Sequence, residues 1–241
     1  MENEPPQLVL GAAAPVEDQG PAEPVGPSRS ARKRRIILDA ARGLFLQHGY
    51  LGTSMDDVAG RAKVSKQTVY KHFGDKRRMF VELLTGDMGS ADASVAALAE
   101  AVPGSQDLEA DLRAFARAYL TAVMQPHLIR LRRVVIGEAE RFPELAAAWY
   151  ASGPAAAYAT FAQWFEVLDR RGLLRVDEPV LAAQHFNWLI LSIPLNEAMA
   201  HPVDDAHPAR DDLHRYADAG VRVFLAAYGA ATPTVVSEPR R

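Results

Sequence analysis

Residues 53–73 read Thr53-Ser54-Met55-Asp56-Asp57-Val58-Ala59-Gly60-Arg61-Ala62-Lys63-Val64-Ser65-Lys66-Gln67-Thr68-Val69-Tyr70-Lys71-His72-Phe73. This string specifies two short helices joined by a tight turn. Ser54-Met55-Asp56-Asp57 has the form of a capping box: the Ser54 hydroxyl can accept a backbone N–H while Asp57 reaches back. The helix it opens ends near Ala62, and Ser65 is placed to cap the next one, which ends at Phe73. Met55, Val58, Ala59, Ala62, Val64, Val69 and Phe73 form the expected buried set. Ala59 and Ala62 are small, as a close approach of helices requires. Lys63 falls in the turn, where a left-handed conformation costs a non-glycine residue on the order of 1 kcal/mol.

Burying that set leaves Lys66, Gln67, Tyr70 and Lys71 facing out, with positions 67, 70 and 71 on one face by i, i+3, i+4 geometry. Two cations, an amide and a phenol are groups that bind phosphates and read base edges in double-stranded DNA. Gln67 suits a bidentate bond to adenine, and Lys66 or Lys71 suits guanine or a phosphate. Thr53 and Ser54 stand at a helix N-terminus, where hydroxyls and N–H groups suit a phosphate.

Outward from this core, residues 30–48 read as a helix, with Ile36, Ile37, Ala40, Ala41, Leu44 and Phe45 forming one apolar stripe that stops at Gly49. Asp75 caps a further helix expected over 76–101, whose first residue, Lys76, is placed to clamp the DNA backbone. Residues 29–80 hold 13 Lys and Arg against 4 Asp and Glu, a balance of +9, while the rest of the 241-residue chain carries −12. A basic segment on an acidic chain marks a polyanion-binding surface. Arg32-Lys33-Arg34-Arg35, just ahead of the motif, reads as an arm or first-turn phosphate contact.

The run from Gly49-Tyr50 to Phe80, GYLGTSMDDVAGRAKVSKQTVYKHFGDKRRMF, resembles the DNA-binding domain of the TetR family of transcriptional regulators. Thr53, Val58-Ala59, Val64-Ser65, Tyr70, Phe73 and Lys76 match that pattern in order and spacing. The resemblance implies phosphate or groove contacts at Thr53, Tyr70, His72 and Lys76. It places Lys66, Gln67, Thr68 and Lys71 at the variable positions that set operator choice. Lys63 departs from the family's usual glycine, and Gln67 stands where small residues or proline are common.

The remainder reads as helices over 107–124, 127–141, 144–172 with a break at Gly153-Pro154, 179–200 with a kink at Pro194, and 211–227. No period-2 alternation appears, so the fold class is all-α: an N-terminal three-helix bundle with a helix-turn-helix and a larger C-terminal helical domain. The expected division is a disordered tail over 1–28, the DNA-binding domain over 29–84, a helical domain over 85–228 and a flexible tail over 229–241. The first tail is acidic and proline-bearing, without the pattern of a secretion signal.

Residues 137–145, GEAERFPEL, followed by Trp149-Tyr150, resemble the C-terminal domains of AefR-like TetR relatives. That resemblance implies a homodimer paired through 179–200 and 211–227. It also implies a pocket for a small apolar or aromatic effector among Phe115, Tyr119, Trp149, Phe161, Trp164, Phe165 and Trp188.

Nothing here reads as catalytic, and no cofactor is expected. His201, His207 and His214 with Asp204, Asp205, Asp211 and Asp212 fit no standard metal spacing. Cysteine is absent, which removes disulfides and thiolate metal sites and fits a reducing, cytoplasmic setting. No run of 18 apolar residues exists to span a membrane. The expectation is a repressor released from a pseudo-palindromic operator by its effector. The competing readings are a regulator that senses nothing or activates, and a helical carrier or enzyme with a vestigial basic domain.

Overall fold

The computed structural model describes residues 28–89, 93–201 and 209–230, and side chains at 87–94 are outside that description. Four helices make the N-terminal unit: α1 (Arg29–His48), α2 (Met55–Ala62), α3 (Lys66–Phe73) and α4 (Lys76–Gly89). Seven more follow: α5 (Ala93–Ala101), α6 (Leu108–Val123), α7 (Pro126–Gly137), α8 (Pro143–Tyr150), α9 (Ala156–Arg170), α10 (Pro179–Ala200) and α11 (Arg210–Tyr228). Among the described residues there is no strand, only one isolated bridge.

Local chemistry accounts for the first turns. The Ser54 hydroxyl accepts from Asp57 N–H at 3.1 Å and the Asp57 carboxylate accepts from Ser54 N–H at 2.9 Å, completing the capping box. Ser65 caps α3 by accepting from Thr68 N–H at 3.2 Å, and Asp75 accepts from Arg78 N–H at 2.8 Å at the start of α4. Lys63, between α2 and α3, has φ 54° and ψ 44°, the left-handed turn the sequence anticipates, and it is the positive-φ non-glycine residue of the described chain.

The helix expected over 76–101 is described as α4 to Gly89 and α5 from Ala93, and residues 90–92 between them lie outside the described residues. Two expectations change. The helix read to 141 ends at Gly137, where Phe142 N–H turns back to the Glu138 carbonyl at 2.8 Å ahead of Pro143. The break at Gly153-Pro154 is a π turn, Ala151–Ala155, that joins α8 to α9. Pro154 has no N–H for the Tyr150 carbonyl, and the wider turn absorbs the missing donor without ending the helix. Pro194 likewise lies inside α10, with its ring buried.

Two apolar clusters form. The first joins Ile37, Phe45, Tyr50, Val69, Phe73, Met79, Phe80 and Leu84 to Leu131, Val135 and Leu145. Phe80 meets Phe45 edge-on at 4.7 Å and Tyr50 at 5.1 Å, and burying each such ring stabilises by about 1.5–3 kcal/mol. The packing therefore does not divide at residue 84: α7 and α8 complete the core of the N-terminal unit. The second cluster fills α6, α9, α10 and α11 around Phe115, Phe161, Trp164, Phe165, Phe186 and Phe224. A Cβ at Gly220 would stand 2.8 Å from the Leu189 carbonyl oxygen, so α10 and α11 approach backbone to backbone. Gly229 and Ala230, grouped above with the tail, belong to the folded unit. Arg175 N–H donates to the Tyr228 carbonyl at 2.8 Å, and Ala230 N–H to the Leu173 carbonyl at 3.1 Å.

Candidate nucleic-acid interface

The outward face of α3 holds Gln67, Tyr70 and Lys71, all exposed, with Tyr70 at 49 %. Val69 and Phe73 occupy the opposite side and are buried, so the helix is clamped by its apolar edge while its polar edge is free to enter a groove. Lys66 is exposed too, but its ammonium bonds the Asp56 carboxylate of α2, which raises its pKa from the ordinary value. Thr68 is half-buried, and its hydroxyl pairs with Ser65 Oγ at 2.8 Å. Ser54 is exposed at the N-terminus of α2, its hydroxyl 2.6 Å from the Asp57 carboxylate. His72 is half-buried, and its carbonyl accepts from Arg34.

Two residues expected to touch DNA are built inward instead. Thr53 is 1 % exposed, and its hydroxyl donates to the Gly49 carbonyl at 3.0 Å. The Lys76 ammonium donates to the Tyr50 carbonyl at 2.9 Å and the Thr53 carbonyl at 3.0 Å, and lies 4.4 Å from the centre of the Tyr50 ring. Burial lowers the Lys76 pKa, while the Glu138 charge opposes that shift. Both side chains hold the turn that sets the start of α2. The peptide carbonyls of that turn attract the ammonium as a phosphate would, which is why the residue type alone does not separate the two roles.

Arg34 also departs from the arm reading. It bonds both oxygens of Glu82 on α4, donates to the His72 carbonyl at 2.8 Å and covers the Phe73 ring at 4.6 Å. It thereby ties α1 to α3 and α4. The signal was present: Arg34 precedes Ile37 and Ala41 by three and seven residues, on the buried stripe. Arg32, Lys33 and Arg35 remain exposed.

In the larger half, the expected pocket residues part company. Phe115, Tyr119, Phe161 and Trp164 stack against one another with ring centres 4.8–5.6 Å apart, and Phe161 and Phe165 pack on Phe186. Tyr119 donates to Asn187 Oδ1 at 2.8 Å, and burial pushes its hydroxyl well above its ordinary pKa. Trp188 is 43 % exposed on α10, beside Leu189 and Ile193, because it follows the outward face of that helix. Trp149 packs against the first cluster, at the junction of α7, α8 and the N-terminal unit. Arg132 of α7, which the sequence did not single out, lies 4.5 Å over its ring. Of the histidine and aspartate candidates at 201–214, Asp204, Asp205 and His207 lie outside the described residues.

An N-terminal helical unit whose α3 offers one polar face, seated on a larger helical domain, defines a helix-turn-helix regulator. Residues 37–83 match the model of bacterial regulatory proteins of the TetR family, and residues 110–230 match the AefR-like transcriptional repressor C-terminal domain. The chain belongs to the TetR family of transcriptional regulators. It is 39 % identical to a solved TetR-family regulator from Mesorhizobium loti, covering 84 % of this chain and 100 % of that one, with a TM-score of 0.76. A structure titled flavonoid-responsive regulator FrrA is 30 % identical over 83 % of this chain and 99 % of that one, with a TM-score of 0.67. The transcriptional activator FasR of Mycolicibacterium smegmatis is 30 % identical over 43 % of this chain and 48 % of its own length. The chain thus spans about half the length of that curated relative. Among the described residues no helix is long and apolar enough to cross a membrane.

Proposed function

We propose that this protein is a cytoplasmic, homodimeric regulator that reads a pseudo-palindromic operator with α3 and is released from it by a small apolar or aromatic effector. The observation that carries the DNA reading is the free polar edge of α3, Gln67, Tyr70 and Lys71, on a helix whose other edge is locked into a core. Gln67 and Lys71 read bases, and Tyr70, Ser54 and the exposed basic residues of α1 hold phosphates. Lys66 reaches a base or phosphate when the approaching strand displaces Asp56. Thr68 and His72 line the edge of the groove. Thr53 and Lys76 position the start of α2, whose N–H groups then face the backbone.

The dimer reading rests on an apolar face shared by α10 and α11. Leu181, Trp188, Leu189, Ile193 and Val223 are 36–54 % exposed there. Covering such a face with its own copy gives a four-helix interface and sets two α3 helices on successive major-groove turns. Repression is the direction we favour, since the matched C-terminal domain is named for a repressor; FasR, named as an activator, keeps activation as the second reading. FrrA, named as flavonoid-responsive, supports an aromatic effector.

The test is binding to a duplex from upstream of the protein's own gene, against a scrambled duplex, over a salt series. The expected result is at least a thousand-fold preference for one sequence. Equal affinity for both duplexes at every salt concentration overturns the regulator reading. Gln67→Ala is expected to change preference at a single base position.

A further inference from the structure

The junction between the two halves holds polar groups without partners. Arg132 of α7 is half-buried, and among the described residues no Asp or Glu forms an ion pair with it. Its contact is the face of Trp149, and the other groups acting on it are the tyrosine hydroxyls of Tyr119 and Tyr158, both of which burial keeps protonated at neutral pH. The neighbouring α7 arginine behaves differently: Arg133 donates to the carbonyls of Ala198 and His201 at the end of α10. The Trp149 indole N–H is itself buried and has no acceptor. A guanidinium cannot shed its charge at physiological pH; the Trp149 face offsets part of its desolvation, and an anion would offset more. Among the described residues, a half-buried cation with no paired carboxylate stands beside a buried N–H donor with no acceptor, and together they form the complement of a carboxylate. Arg presents parallel N–H groups to two oxygens, and the indole adds a third donor.

We propose that the effector is an aromatic or apolar carboxylic acid whose carboxylate is taken up by Arg132 and Trp149. This rests on the effector reading above and names its chemistry. The hydrophobic part of the ligand faces the aromatic side of the junction, where Tyr119 and Tyr158 stand near Arg132.

The location gives the binding event a route to the DNA face. Arg132 is flanked on α7 by Leu131, part of the N-terminal core, and Trp149 lies in the last turn of α8, whose Leu145 is in the same core. Phe142, just ahead of α8, meets the Tyr50 ring edge-on at 4.8 Å. The carbonyl of Tyr50 is held by Lys76, which also holds Thr53 at the start of α2. A carboxylate that draws Arg132 off the Trp149 face therefore moves α8 against the turn that aims α2 and α3. Only a ligand that binds the two arrangements unequally shifts the balance.

The probes are 2-naphthoate and trans-cinnamate against their neutral amides, read by tryptophan fluorescence and by thermal shift on the full chain. Wild type is expected to bind at least one acid ten-fold or more tightly than its amide, and Arg132→Met to bind acid and amide alike. Trp149→Phe, which keeps the ring and removes the N–H, is expected to reduce the preference several-fold. A readout free of any ligand accompanies these. Arg132→Met in the ligand-free protein removes an unpartnered cation, so its Tm should equal or exceed that of wild type. A fall of more than about 5 °C assigns Arg132 a structural role and overturns the proposal. Acids and amides binding wild type equally, or amides alone binding, also overturns it while leaving the effector reading intact. Stabilisation by neither set, nor by uncharged flavonoids, defeats the effector reading as well.

Discussion

Thr53 and Lys76 on one side of the molecule and Arg132 and Trp149 on the other are opposite cases of polar burial. Near α3, the residues that resemble DNA ligands are consumed by the fold: the Thr53 hydroxyl and the Lys76 ammonium satisfy three backbone carbonyl bonds of a single turn. At the junction, a half-buried guanidinium with no ion-pair partner among the described residues lies over a ring whose buried indole N–H has no acceptor. The contrast teaches that residue type does not reveal whether a polar group builds or binds. The count of satisfied donors does. A buried donor that is paired is part of the scaffold, and one that is unpaired is either a cost or a place reserved for a ligand.

The comparison can be broken first at the core it rests on. Phe80→Ala removes a fully buried ring in contact with Phe45 and Tyr50, and should cost about 3–5 kcal/mol of stability in urea unfolding. A much smaller loss means the turn at Tyr50 is not held from below. The next test sets two lysines against each other. Lys76→Ala leaves the Tyr50 and Thr53 carbonyls without their donor and should cost about 1–3 kcal/mol, weakening binding to every duplex alike. Lys71→Ala, on the exposed edge of α3, should change stability by less than about 0.5 kcal/mol while relaxing preference at one base position of the half-site. Equal stability losses for the two would erase the distinction between building and binding lysines. Ser65→Ala removes the cap of α3 and should cost about 1 kcal/mol, seen as a lower urea midpoint. The smallest effect has the opposite sign. Lys63→Gly relieves the left-handed turn at φ 54° and should gain no more than about 1 kcal/mol, offset in part by glycine's greater unfolded-state entropy.

What was legible in the sequence follows the range of the interaction. Caps act over three residues, so Ser54, Asp57, Ser65 and Asp75 announced the starts of α2, α3 and α4, and the turn at Lys63 followed from the spacing between them. The apolar periods of α1 and α3 were equally plain. The fate of Arg34 was less so, because Glu82 lies forty-eight positions away. The join between α8 and α9 was misread for a different reason. Gly153-Pro154 is a strong helix-breaking signal, but packing of this segment on α4 makes a π turn preferable to an end. Arg132 is not distinguished in the sequence because α7 carries Arg130, Arg132 and Arg133 in four positions, which reads as a solvated basic face; only the partner helices show that Arg133 reaches the carbonyls ending α10 while Arg132 lies over Trp149. The aromatic residues were correctly read as one group by composition and wrongly by place, since Trp149 and Trp188 leave the cluster that Phe115, Phe161 and Trp164 fill.

At Gly220 the backbone of α11 lies against the Leu189 carbonyl with no side chain between them. At that point the helices touch without a side chain between them, so they cannot move closer, and any Cβ added at 220 must push them apart. In the proposed dimer that contact would set how far apart the two DNA-reading heads stand, and a larger residue at position 220 would re-space them and change the separation of half-sites accepted. On the proposed reading, a change of effector would be engineered at α7 and α8, leaving the 189–220 contact, and with it the operator spacing, untouched.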